Sequence, residues 1–202
     1  MEYNVSRITV RQALSELMKD GLIYRDRGRG TFVTESAELK RPELKGSIEN
    51  LIAAAKGTRT RVLSYKEVLS PPRIAKVFQL KKTEKVFHLQ LVRFTSRGPF
   101  GYSFIYFPYE LGKIISPEEL NGTTEIITFV EEKLKTKAYR AKQAIDVGMA
   151  DRVLAENLFV KTKTPLLVIE RDYYTRKGSA MFVAITHFRP DFYKYEIELT
   201  RT

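Results

Sequence analysis

The chain has 202 residues, 43% hydrophobic and 29% charged, which suits one large domain or a small one joined to a medium one and excludes wholesale disorder. It has no cysteine, so disulfides, thiol nucleophiles and cysteine-ligated metals are excluded, and its two histidines, His88 and His187, stand too far apart in sequence to suggest a metal cluster. Thirty-five Lys and Arg against 24 Asp and Glu leave a charge of +11, yet residues 1–40 carry seven basic and six acidic side chains, so the excess lies almost wholly beyond residue 40. No run approaches the roughly 18 apolar residues of a membrane span, and Met1-Glu2-Tyr3-Asn4 does not read as a signal peptide. A cytoplasmic protein with no membrane partner is expected, without metal or cofactor.

The first element is a helix opened by Ser6, whose hydroxyl can accept from first-turn N–H groups. Val10, Ala13, Leu14, Leu17 and Met18 follow at amphipathic spacing, and Gly21 is a natural stop. Arg7, Thr9 and Arg11 fall on the face away from the leucines. Leu22–Arg25 and Thr31–Val33 read as two short strands around the Gly28-Arg29-Gly30 turn. A helix N-terminus bearing Ser6, Arg7, Thr9 and Arg11 can enter a major groove, and a glycine-tipped hairpin with Arg27, Arg29, Gly30 and Thr31 can approach a DNA backbone closely. On pattern alone, a plain amphipathic helix and hairpin with solvated arginines fits equally well.

Residues 36–45 are polar, weakly patterned and interrupted by Pro42, a linker between a unit over 1–35 and a domain over 46–202. That domain begins with a helix over 47–55, capped by Ser47. A strand over 61–69, a helix over 74–80, and strands over 86–95 and 101–107 come next. Then follow a helix over 124–134, a strand over 139–147, a helix over 150–158, strands over 166–175 and 181–189, and an alternating stretch over 193–199. The helix ending at Leu80 with its hairpin is echoed by the helix ending at Leu158 with another. An α+β domain built on one antiparallel sheet is expected, holding a ligand where its two halves meet.

Val5-Ser6-Arg7-Ile8-Thr9-Val10-Arg11-Gln12-Ala13-Leu14, Leu17, Gly21-Leu22-Ile23 and Gly28-Arg29-Gly30-Thr31-Phe32-Val33 resemble the signature of GntR-type bacterial transcription regulators. The resemblance implies a partial winged helix-turn-helix. Ser6, Arg7, Thr9 and Arg11 become DNA contacts of the recognition helix, and Arg27, Arg29, Gly30 and Thr31 those of the wing. The family has two further helices ahead of this point, so the chain is expected to be a truncated form whose own DNA affinity is poor, with operator DNA the partner of the full-length protein. A homodimer is expected, since two recognition helices read a near-palindrome.

Val86-Phe87-His88-Leu89, Val92-Arg93, Gly98-Pro99, Tyr106-Phe107-Pro108, Pro165 to Arg171, Gly178 and Arg189-Pro190-Asp191-Phe192-Tyr193 are similar to the UTRA effector-binding domain of the HutC branch, whose fold resembles chorismate lyase. In that branch an Arg-x-Arg and two acidic residues contact the effector. The corresponding residues here are Leu91, Arg93, Ser103 and Phe182. Arg93 suits an anion, while loss of both carboxylates removes acceptors for sugar hydroxyls. The resemblance thus implies a small anionic effector, less hydroxyl-rich than a hexosamine phosphate. Ser47 and Ile48, where the family places backbone donors, and Thr124, opening a helix, are further candidates.

The histidines read as satisfied core or surface groups, and Arg171, Arg189 and Asp191 as structural, with an Arg-x-Asp ion pair. Two other functions compete with a ligand-responsive repressor. One is an effector sensor without DNA binding. The other is a chorismate-lyase-like enzyme, for which no nucleophile–base pair or carboxylate dyad is present in the sequence.

Overall fold

The computed structural model describes residues 6–19, 23–26, 30–33, 48–49, 58–81, 83–122 and 125–193. The chain divides into two compact units, Met1–Lys40 with Ser96–Gly98, and Arg41–Thr95 with Pro99–Thr202.

In the first unit α1 spans Arg7–Lys19, and β1 (Ile23–Asp26) pairs antiparallel with β2 (Gly30–Val33), Ile23 opposite Val33. Ser6 caps α1 as its sequence position predicts: its Oγ accepts the Thr9 N–H at 3.1 Å, and its carbonyl accepts that of Val10. Gly30 enters β2 with φ of +127°, a conformation that side chains resist.

The second unit is a six-stranded antiparallel sheet in the order β3-β4-β5-β8-β7-β6. Its elements are β3 (Arg59–Leu69), α2 (Pro72–Phe78), β4 (Lys85–Thr95), β5 (Gly98–Pro108), α3 (Tyr109–Lys113), α4 (Pro117–Leu120), α5 (Ile126–Leu134), β6 (Arg140–Met149), α6 (Arg152–Leu158), β7 (Pro165–Tyr174) and β8 (Ala180–Phe188). The short helices α3 and α4 are absent from the sequence reading. The expected helix over 47–55 and strand over 193–199 fall largely outside the described residues, although Ile48 and Glu49 are helical.

The echo between the halves is real, at a spacing of 80 residues. Ser70 N–H bonds Glu84 O, and 80 residues on Ala150 N–H bonds Thr164 O; Leu80 to Ala75 is likewise matched by Val160 to Ala155. α2 and α6 both end on a left-handed residue, Gln79 at φ 56° and Phe159 at φ 55°. Their starts differ: α2 opens on Pro71-Pro72, whereas Asp151 Oδ1 caps α6 by accepting the Leu154 N–H at 2.8 Å. A bulge between Val62 and Ser64 puts one extra residue in β3, so beyond it the spacing on this strand is 81: Val62 faces Leu91 as Gln143 faces Arg171.

Alternation sends side chains to two faces. On one, Leu89, Leu91, Ile105, Phe107 and Phe182 pack under Leu111, Leu120, Ile126 and Val130 of α3, α4 and α5. On the other, α6 places Leu154, Ala155 and Leu158 against Val92, Tyr102 and Leu166, while α2 places Ile74 against Val86 and Val183. Each fully buried side chain of this size contributes about 1.5–3 kcal/mol. The helix of each half thus packs on strands of both, and the pairing of β5 with β8 joins the halves into one sheet.

Candidate functional site

Where described, the polar side chains of the first unit face solvent. Thr9 and Arg11 are exposed on the first turns of α1, and the Thr9 and Ser6 hydroxyls lie 2.8 Å apart. Arg7 begins α1, and Gly30 and Thr31 are exposed at the start of β2. Arg27 and Arg29 lie outside the described residues. Among the helix's apolar residues, Leu14 is half-buried, whereas Ile8, Val10 and Leu17 are exposed.

In the second unit the α5-covered face turns polar at its centre, along the seam where β5 meets β8. Ser103 lies opposite Thr186 across that seam, both buried, their hydroxyls 2.9 Å apart. Arg93 points to this face from β4, being two and four residues from Leu91 and Leu89. Burial pushes its guanidinium down to about 10, with Arg171 lowering it further and the Tyr173 and Tyr193 hydroxyls opposing.

Arg171 reaches the same face from β7 and donates from Nε to Gln143 Oε1 at 2.6 Å. Tyr173 lies between the arginines, bonded to Arg171 and within the field of both. Burial raises its pKa, so it remains a neutral phenol. Phe182 is fully buried and stacks on Tyr173, ring centroids 4.3 Å apart. The face therefore brings two guanidiniums, two phenols and two hydroxyls to one place. It can bind an oxyanion, and among the described residues no group of three or more His, Asp or Glu is arranged to hold a metal.

Comparison with known proteins identifies the family. Residues 53–194 match the UTRA domain model, and residues 1–33 match that of the bacterial regulatory proteins of the gntR family. The chain belongs to the UTRA-domain regulators of the gntR family. It is 26% identical over 201 residues to the HTH-type transcriptional repressor NagR of Bacillus subtilis, covering 96% of this chain and 79% of that protein. It is 29% identical to the HTH-type transcriptional regulator Rv0792c of Mycobacterium tuberculosis, over 98% of this chain and 74% of that protein. The crystal structure of YydK from Bacillus subtilis shares the fold, with a TM-score of 0.69, 18% identity and coverage of 98% of this chain and 85% of that one. This UTRA-domain regulator is a ligand-responsive DNA-binding protein rather than an enzyme.

Within the UTRA domain, the structure brings Arg93, Ser103 and Phe182 to one face, with Ile48 half-buried against its apolar cluster. Ser47 and Thr124 lie outside the described residues. Arg189 forms the expected local pair with Asp191, at 2.6 Å, and also donates to Leu158 O. Arg171, read from the sequence as structural, bonds Gln143 on the neighbouring strand rather than a carboxylate. Asp172, its chain neighbour, points to the opposite face, where Arg73 holds it at 2.9 Å and holds Glu170 at the same distance. His88 is a core group as expected, stacked on Tyr106 at 4.5 Å, but the expected satisfaction is incomplete: His88 Nε2 and His187 Nδ1 are buried without hydrogen-bond partners. Sequence reasoning missed Arg171, Gln143 and Thr186 as members of this polar centre. An arginine at alternate spacing with Ile169 and Tyr173 was the available signal for the first.

Proposed function

We propose that this UTRA-domain regulator is a cytoplasmic transcription repressor that acts as a homodimer and releases or takes up operator DNA in response to a small anionic effector. Residues 1–35 supply the DNA-reading element, with contacts from Ser6, Arg7, Thr9, Arg11, Arg27, Arg29, Gly30 and Thr31. Residues 36–45 form the linker and residues 46–202 the effector domain. Ser47, Ile48, Arg93, Ser103, Thr124 and Phe182 contribute to its site. The observation carrying the effector reading is Arg93, a desolvated guanidinium on the face where the duplicated halves meet. The repressor reading is supported by the name of the NagR relative.

Control follows from linkage. An effector that binds one arrangement of the two heads better than another must shift the population toward it, changing operator affinity by on the order of 5–150-fold. The test is a thermal-shift screen of small anions and neutral sugars on this chain, followed by anisotropy of promoter DNA with each hit on the intact regulator. Low-hydroxyl anions are expected to give the largest shifts and to change DNA binding, with a steep salt dependence. A larger shift from glucosamine phosphate than from any such anion contradicts the reading.

A further inference from the structure

The two halves carry one arginine each on the α5-covered face, at positions that are not equivalent. Eighty residues beyond Arg93 stands Tyr173, and eighty before Arg171 stands Leu91. Pairing sharpens the contrast. Leu91 lies opposite Val62, an apolar pair, whereas Arg171 lies opposite Gln143 and is hydrogen-bonded to it. The fold accepts leucine in this environment, so packing does not require an arginine there. Withdrawing a guanidinium from water without an opposite charge is costly.

Arg171 is nevertheless left with an unmet need. Gln143 takes its Nε–H, and its Nη2 is buried without a partner. Among the described residues no carboxylate pairs with it, because Glu170 and Asp172 point away to Arg73. Its position supplies the reason. β4 and β7 are the strands immediately outside the β5–β8 seam, one on each side. Three strand spacings, about 14 Å, separate their backbones, a span that two extended arginine arms can close from opposite sides. The paired Ser103 and Thr186 hydroxyls lie level with Ile169, the next residue to this face from Arg171, and Tyr173 touches the fields of both guanidiniums.

We propose that Arg171 is a specificity-determining residue of the effector site, closing with Arg93 on a ligand that brings two negative charges to the β5–β8 seam. This rests on the effector-site reading above and adds the charge of the ligand to it. The two guanidiniums lie in each other's field, so a doubly charged group gains more attraction from the pair than a singly charged one. A phosphate or phosphonate dianion, or a short dicarboxylate, brings that charge. The shared chemistry is double negative charge in a compact frame, with the seam hydroxyls and the Tyr173 phenol as further hydrogen-bonding groups.

The test titrates the whole chain with phenyl phosphate, succinate, benzoate and N-acetylglucosamine by calorimetry, and repeats the series on Arg93→Met, Arg171→Leu and Arg171→Lys. Arg171→Leu installs the side chain found at Leu91; if it does not fold, Arg171→Gln replaces it. Phenyl phosphate or succinate is expected to bind at least tenfold more tightly than benzoate, and whichever arm wins identifies the source of the charge. Arg171→Leu should weaken the dianion roughly tenfold or more and bring it level with benzoate, since one charge-assisted contact carries about that factor. Arg171→Lys should restore part of the preference, which a purely structural role would not predict. If Arg93→Met abolishes binding while Arg171→Leu keeps the dianion preference, the effector site stands and the two-arginine closure falls. If neither substitution alters binding, or no dianion binds, both are overturned.

Discussion

The halves of the UTRA domain share hydrogen bonds, helix ends and strand register at a spacing of eighty residues, yet almost none of their side chains agree. Val62 and Leu91 in one become Gln143 and Arg171 in the other, and Thr60 and Arg93 become Ala141 and Tyr173. On the opposite face Val92 answers to Asp172, and Arg73 answers to the exposed Val153. Backbone geometry therefore needs little more than apolar alternation and a helix stop. Charge is placed on it independently: Arg73 of the first half meets Glu170 and Asp172 of the second, and Arg93 lies in the field of Arg171. The fold is symmetric and the chemistry is not.

Breaking the shared core should have the largest effect. Leu158 is fully buried between α6 and the strands of the first half, so Leu158→Ala should cost about 2–5 kcal/mol in urea unfolding. Phe78, its half-buried counterpart on α2, should cost less on the same change. Next comes the unsymmetrical ion pair. Arg73→Met strands the buried Asp172 carboxylate and should lose about 2 kcal/mol, reduced from a fully buried case because Arg73 is 38% exposed. Val153→Ala, at the equivalent place in α6, should stay within about 0.5 kcal/mol.

The smallest effect is a slope with pH. Burial lowers the pKa of both His88 and His187 below the ordinary 6.5, with Lys66 assisting at His88 while Asp151 and Glu170 oppose at His187. Between the ordinary value and the lowered ones the unfolded chain binds more protons than the folded one, so stability rises with pH there. Urea midpoints should be flat above about pH 6.5 and fall as pH drops below it. His88→Val, borrowing the residue at the equivalent Val168, should flatten the part of that fall due to His88.

Much of this was legible in the sequence because it is local. Ser6 capping α1, the strands on either side of each hairpin, and the echo between Leu80 and Leu158 all follow from periodicity and stop signals within a few residues. α3 was not legible: five residues following Pro108 make too little helix to show a period. The polar centre was only half legible. Arg93 came from a motif, but Arg171 acquires its meaning from β4, more than seventy residues away, and a dipeptide Arg171-Asp172 suggests an ion pair that alternation along a strand forbids. Ser103 and Thr186 are ordinary residues until the register places them opposite each other.

The direct test of the account is nuclear magnetic resonance of the guanidinium groups in an arginine-labelled chain, followed as phenyl phosphate is added. The Arg93 and Arg171 signals, assigned by single substitution, should move together along one saturable curve while that of Arg189, held by Asp191, stays in place. Movement of neither, or of Arg93 alone at saturation, would contradict a shared anion at the seam between the halves.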